Sequence, residues 1–372
     1  MVDSPLRKMS YFEKSMTSFR RIVTISKIIT ETSLCRTFLL QSQNDQKIPY
    51  RAGQYLTFVF GQRDEEQRRN YSLSSSPVLN EPMAITVKRI PNGQYSRILV
   101  DRMKPGDQLM TIGANGFFTL PDDQAGIDQI FFLAAGSGIT PVFSLIKTAM
   151  HTWPHTTATL IYSNSSPQDT IFESALIELQ RKYPGRFQIE WLFSNAGDYT
   201  RARLSNWLLT ELLDKYRKAS LEKTLFYLCG PIDYMRMITI TLLASGVNAS
   251  RIRKEEFVIS PPPIVVVPPD KELRQIGATI NGQYHQFTTA FPRSILASAK
   301  QAGIEIPYSC ESGRCGACAA MCIQGTVWMS YNEVLTGEDI QQNKVLTCTG
   351  YPVFGNVELD FDAIRRSATD GG

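Results

Sequence analysis

From about residue 19 to 120 the apolar positions come in short bursts, at 22–25, 35–40, 55–60 and 83–88, separated by polar and turn-forming residues. Bursts of that length between turns predict strands, and a series of them predicts a small antiparallel β-barrel. Beyond residue 130 the pattern changes. Apolar runs at 130–134, 158–162, 187–193 and 225–229 alternate with helical stretches at 172–182 and 203–217, and further helices are expected to open at Pro141 and Pro231. Alternation of this kind predicts a parallel sheet with crossover helices. A third segment, after residue 271, starts with hairpin-like strands about Asn281 and Gly282, continues through a helix near 294–302, and ends in a cysteine-bearing loop and further strands.

The run Ser-Pro-Pro-Pro-Ile-Val-Val-Val-Pro-Pro-Asp at 260–270 contains five prolines. Such a run sits in neither helix nor sheet, so it reads as a semi-rigid extended linker spanning about 30 Å at ~3.1 Å per residue. The expected organisation is a tail at 1–18, a barrel at 19–122, an α/β domain at 123–259, a linker at 260–271, an α+β domain at 272–365 and a tail at 366–372. A chain of 372 residues exceeds one ordinary core, which suits several domains.

Composition narrows the setting. The first 21 residues hold no apolar stretch of signal-peptide type, and the apolar run 130–146 is broken by Gly136, Gly138 and Pro141, as in a strand turning into a helix. The seven cysteines are an odd count without a pairing pattern, which favours a reducing compartment. The expectation is therefore a cytoplasmic protein that engages no membrane. A net charge of +4 is too mild to argue for nucleic acid. Residues 272–365 carry nine acids and six bases, a net of −3, against +7 for 1–271. An acidic module and a basic body that binds anionic cofactors would attract one another, the alternative being ordinary surface variation.

Cys310, Cys315, Cys318 and Cys348 follow the spacing C-x4-C-x2-C with a distant fourth cysteine, the plant-type [2Fe-2S] pattern. Two irons bridged by sulfide need four converging thiolates, and the small residues of Ser-Gly-Arg-Cys-Gly-Ala-Cys let the backbone wrap closely. The alternative is a four-cysteine zinc site, but zinc ribbons usually pair two short C-x2-C knuckles. Cys322 does not fit the two-cluster bacterial spacing and reads as a packed thiol.

Two further constellations have the chemistry to bind nucleotides, although 69–72 taken alone also reads as a strand with a solvated arginine and a half-buried tyrosine. In Arg-Asn-Tyr-Ser at 69–72, Arg69 offers a cation for a pyrophosphate, Tyr71 a planar face for an isoalloxazine and Ser72 a hydroxyl for the ring edge. Val87 and Lys88, then Gly93 and Ser96, stand where a loop and a helix start would present amides and a hydroxyl to phosphate. The run Ile-Phe-Phe-Leu-Ala-Ala-Gly-Ser-Gly-Ile-Thr-Pro at 130–141 reads as a buried strand, a glycine turn of Gly136, Ser137 and Gly138, and a helix with Thr140 as N-cap and Pro141 first. The glycines admit a pyrophosphate to the positive end of the helix. A later strand ends in Cys229, Gly230 and Pro231, opposite that turn, with Cys229 either a nicotinamide contact or a small buried hydrophobe.

Together, these motifs resemble the ferredoxin-NADP reductase superfamily with a fused C-terminal plant-type ferredoxin. The likeness runs from about residue 19 to 361 and is nearest to oxygenase reductases of the phenylacetyl-CoA epoxidase and ketosteroid hydroxylase type. It implies FAD rather than FMN, a flavin barrel, a nucleotide domain and a β-grasp [2Fe-2S] domain. It further implies Tyr71 packed on the flavin, Ser72 near its reactive nitrogen, Lys88 and Ser96 around the phosphates, Cys229 by the nicotinamide and Phe257 near the flavin. After the second nucleotide-domain strand, Tyr-Ser-Asn-Ser-Ser at 162–166 has neither the arginine of NADPH users nor the acid of NADH users. Both dinucleotides therefore stay open, with Ser165, Arg201 and Arg203 as possible phosphate partners.

Nicotinamide yields electrons as a hydride pair and a [2Fe-2S] cluster accepts them singly, so a flavin between them converts one into the other. The expected function is NAD(P)H to FAD to cluster to a partner protein, an oxygenase component. The alternatives are a hybrid-cluster or nitric-oxide-type reductase as partner, or a redox-responsive scaffold without enzymatic output.

Overall fold

The computed structural model describes residues 20–43, 47–61, 66–197, 199–257 and 266–364. The expected tails at 1–18 and 366–372 lie outside them, as does the expected linker before Val266.

Strands β1 (Arg21–Thr32), β2 (Cys35–Ser42), β3 (Tyr55–Phe60), β4 (Gln67–Ser72), β5 (Ala84–Lys88) and β6 (Gln108–Asn115) form an antiparallel sheet in the order β4-β3-β6-β1-β2-β5. A bridge between Leu73 and Ile85 brings the two edges together, closing the barrel. Its interior is filled by Val23, Ile25, Phe38, Leu56, Phe58, Leu73 and Ile85. Helix α1 (Gln94–Arg102) follows β5, opening at Gly93.

Strands β7 (Gln129–Ala135), β8 (Thr157–Asn164), β9 (Phe187–Phe193), β10 (Thr224–Cys229) and β11 (Ile252–Glu255) form a parallel sheet in the order β11-β10-β7-β8-β9. Alternation along β7 sends Ile130, Phe132 and Ala134 into one core and Phe131 and Leu133 into the other. A strand covered on both faces is apolar throughout, which is why 130–134 shows no period of two. Helices α2 (Ile139–Thr152), α3 (Glu173–Lys182), α4 (Tyr199–Ala202), α5 (Asn206–Tyr216) and α6 (Ile232–Ala244) make the connections. The helix expected at 203–217 is the single helix α5, which opens only at Asn206 because Ser205 caps it by accepting from the Leu208 amide, and the short α4 precedes the expected range. The chain leaves β7 toward β8 and β9, then returns to β10 and β11 on the other side. That reversal between β7 and β10 is where open α/β sheets bind ligands.

The expected cap of α2 is corrected. Gly136, Ser137 and Gly138 form a tight 3-10 turn, Gly138 is the N-cap, and Thr140 and Pro141 lie inside the first helical turn. Proline is tolerated there because amides of the first turn have no helical acceptor. Gly136 sits at φ +54, a left-handed conformation that favours glycine.

Strands β12 (Arg274–Ile280), β13 (Gln283–Thr289), β14 (Ala319–Met329), β15 (Lys344–Leu346) and β16 (Gly350–Asp360) give a mixed sheet in the order β13-β12-β16-β14-β15. Asn281 and Gly282, both at positive φ, make the turn of the β12–β13 hairpin. Helix α7 (Ile295–Gln301) packs Ile295, Leu296 and Ala299 onto Ile276, Ala278 and Leu359. A short helix α8 (Gly337–Gln341), with a capping box at Thr336 and Asp339, precedes β15. Among the described residues no helix is long and apolar enough to cross a membrane.

Candidate functional site

A cavity of about 580 Å³ lies where the three sheets meet. The barrel contributes Arg69, Tyr71, Ser72, Val87, Lys88, Gly93 and Ser96 to its wall. The nucleotide domain contributes Ser137, Thr140, Glu255 and Phe257, and the third domain contributes Cys310, Arg314 and Cys315. Thus residues singled out from three distant stretches of sequence line one space.

On the barrel side, Tyr71 is half-buried and tilted against Phe58, with ring centroids 6.0 Å apart. The Arg69 guanidinium lies 5.2 Å over the Tyr95 ring and donates to the Gln67 side chain. Ser96 is held locally, its hydroxyl donating to the Gly93 carbonyl at 3.3 Å. The Ser72 hydroxyl donates to Glu255 Oε1 at 2.8 Å, joining β4 to the end of β11. Burial raises the Glu255 carboxyl to about 8, partly offset by the Ser72 hydrogen bond, so at neutral pH it holds a proton. Sequence reasoning missed Glu255, whose only local trace is an acid ending a strand of an otherwise buried sheet.

Gly136, Gly138, Pro141, Cys229, Gly230 and Pro231 stand behind the cavity wall rather than on it. A Cβ on Gly138 would fall 2.0 Å from the Cys229 carbonyl oxygen, so the two turns expected to face one another are in contact. Cys229 is fully buried and pairs in register with Ala134 and Glu255. Its thiol is pushed well up by burial and by Glu255.

Helix α2 is fixed to the barrel by a buried polar seam. Lys147 pairs with Glu81, which also accepts from the Ser76 amide. The Ser144 hydroxyl donates to the Ser75 carbonyl at 2.5 Å, and the Ser76 and Thr148 hydroxyls are 2.7 Å apart. This seam ties the opening of the nucleotide domain to the barrel segment that follows β4. Of the expected 2′-phosphate partners, Arg201 is engaged by Glu190 and Glu211.

The cysteine loop is held against the barrel by several contacts. Tyr55 Oη donates to the Cys315 carbonyl at 2.6 Å. Arg68 donates to the Tyr308 carbonyl at 3.0 Å with its guanidinium 3.6 Å from that ring's centre, and Ser309 bonds Asn70 at 2.7 Å. A Cβ on Gly316 would meet the Phe117 ring at 2.6 Å.

The thiols act on one another: Cys315 lowers the Cys310 thiol, and Cys348 raises that of Cys318. Among the described residues no three metal-ligating side chains gather as one ion requires. Cys322 lies apart, its thiol directed to the Gln324 and Gly325 carbonyls. Buried polar atoms without a protein partner include Thr140 Oγ1 and Arg314 Nε. Both line the cavity, where a bound group would supply the missing partners.

Comparison with known proteins places these observations in a family. Residues 22–120 match an oxidoreductase FAD-binding domain, 132–239 an oxidoreductase NAD-binding domain and 278–353 a 2Fe-2S iron-sulfur cluster binding domain. The chain is 30% identical over 353 residues to the ferredoxin reductase component of 3-ketosteroid-9-alpha-monooxygenase from Rhodococcus rhodochrous, covering 91% of this chain and 96% of that one. It is 30% identical over 368 residues to a component of the 1,2-phenylacetyl-CoA epoxidase of Escherichia coli K12, covering 94% and 99%. Phthalate dioxygenase reductase, described as a modular structure for electron transfer from pyridine nucleotides to [2Fe-2S], shares the fold, with a TM-score of 0.56, 21% identity and coverage of 94% and 99%. The chain belongs to the oxygenase reductase components of the ferredoxin-NADP reductase superfamily, in which FAD-binding, NAD-binding and plant-type [2Fe-2S] domains follow one another.

Proposed function

We propose that this chain takes two electrons from NADH or NADPH and delivers them singly, through FAD and one [2Fe-2S] cluster, to a cytoplasmic oxygenase component. When bound, the nicotinamide supplies a hydride, the flavin accepts two electrons and releases them one at a time, and the cluster carries one. The observation that carries this reading is the single cavity lined jointly by the Arg69–Ser72 strand, Ser137 and Thr140 at the opening of α2, and the cysteine loop.

Each residue has a part in it. Tyr71 offers its ring to the isoalloxazine, and Arg69, Lys88, Ser96 and the amides about Val87 and Gly93 serve the FAD phosphates. Ser72 and Glu255 hold a proton at the ring edge, since the hydroxyl donates to a carboxyl that is itself protonated at neutral pH. Gly136, Ser137, Gly138, Thr140 and Pro141 present the opening of α2 to the dinucleotide pyrophosphate. Cys229, Gly230 and Pro231 back the nicotinamide, and Phe257 covers the flavin from the end of the nucleotide domain. Cys310 and Cys315 ligate one iron, Cys318 and Cys348 the other. An oxygenase partner is supported by the relatives, which are named as monooxygenase and epoxidase components.

The purified protein is expected to contain FAD and iron and to reduce cytochrome c with NADH or NADPH. Cys315→Ser is expected to lose cytochrome c reduction while its flavin is still bleached by NAD(P)H. Full-rate cytochrome c reduction by that variant would refute the proposed route.

A further inference from the structure

We propose that Arg314 sets the division of electrons between flavin and cluster, as a permanent cation at their boundary that favours the electron on the cluster. The inference rests on the [2Fe-2S] reading above and adds a residue that the spacing of the cysteines does not assign.

Arg314 sits between Cys310 and Cys315 and lines the same cavity as Tyr71, Ser72 and Glu255. Its guanidinium is fixed from two domains. One nitrogen donates to Tyr331 Oη at 3.1 Å, and another lies 3.9 Å from Glu256, just beyond β11 of the nucleotide domain. Tyr331 in turn donates to Glu333 at 2.7 Å. Nε, by contrast, is buried and has no protein partner. Buried donors are almost always satisfied. An arginine whose outer nitrogens are anchored while its inner N–H is left over is therefore arranged to serve an acceptor outside the polypeptide.

Arginine keeps its charge when buried, so the positive field is constant across the working pH range. In the step concerned, reduced flavin loses one electron and one ferric ion of the cluster becomes ferrous. No covalent bond breaks, and the cluster gains one negative charge. A fixed cation beside it stabilises the reduced form, as do hydrogen bonds and neighbouring charge generally. Glu256 opposes that effect, and removing its charge should act in the opposite direction.

The test is an EPR-monitored redox titration of the cluster in the full-length holoprotein, comparing wild type, R314Q, R314K and E256Q. R314Q is expected to lower the cluster potential so that the flavin–cluster partition shifts about tenfold toward the flavin, or about 59 mV for one electron. R314K keeps most of the wild-type potential, and E256Q raises it. A merely structural arginine would change the melting temperature without these opposed shifts. An unmoved potential in R314Q at full cluster content, or a lowered one in E256Q, overturns the inference. Should R314Q fail to hold its cluster, the sign of the shift in E256Q decides. Absence of any cluster signal in wild type would instead overturn the functional reading.

Discussion

Replacing Glu255 by glutamine tests the buried proton directly. The carboxyl lies at the end of β11, accepts from Ser72 at 2.8 Å, and is raised from an ordinary 4.5 to about 8 by burial. Between those two values the folded state binds a proton that the unfolded state has released, so stability declines as pH rises and levels off above about 8. The slope is about 1.4 kcal/mol per pH unit, or roughly 5 kcal/mol over the whole interval. The carboxyl borders a cavity open to solvent, which makes that figure an upper bound. Glutamine keeps an oxygen for Ser72 but has nothing to ionise. The two proteins should therefore be equally stable near pH 5, with the variant increasingly ahead toward pH 9. At about 2–4 °C per kcal/mol for a body of 150–250 residues, the gap reaches about ten degrees. Calorimetric melts from pH 5 to 9 provide the assay. Parallel curves, with a constant difference at every pH, would refute the claim that Glu255 is neutral in the fold.

Other substitutions probe the positioning of the three domains. Gly138→Ala forces a methyl within 2.0 Å of the Cys229 carbonyl. It is expected to raise the KM for NAD(P)H at least about tenfold and to lower stability by about 1–3 kcal/mol, read by steady-state kinetics and thermal melts. Tyr55→Phe removes the 2.6 Å bond to the Cys315 carbonyl, costing about 1 kcal/mol. Stopped-flow measurements should show slower cluster reduction with unchanged flavin reduction. Lys147→Met leaves Glu81 without its buried cation, at a cost of about 2–3 kcal/mol. The restoring variant, with Glu81→Leu added, should recover part of that stability in denaturant melts.

Local chemistry made much of this molecule legible in its sequence, and long-range contact hid the rest. The change from short bursts to strand–helix alternation near residue 130 marks the passage from barrel to parallel sheet. The glycine turn was readable because Gly136 and Gly138 lie beside an apolar run, but its capping was not. Thr140 has the chemistry of an N-cap, yet the preceding 3-10 turn places the helix start at Ile139. Glu255 was invisible because its partner Ser72 is 183 positions away. The same holds for Tyr55 with Cys315, 260 positions apart, and for Arg68 with Tyr308, 240 apart. A tyrosine in an apolar strand and an arginine next to another arginine look ordinary until the third domain docks on them.

The central claim is that electrons enter as a pair at the flavin and leave singly through the cluster. Anaerobic titration of the full-length protein with NADH, and separately with NADPH, tests it by following flavin absorbance and the cluster EPR signal together. With the productive donor, flavin bleaching should be accompanied by the signal of a reduced [2Fe-2S] cluster, whereas Cys315→Ser should bleach without it. A wild-type flavin that is fully reduced while its intact cluster stays oxidised would contradict the account.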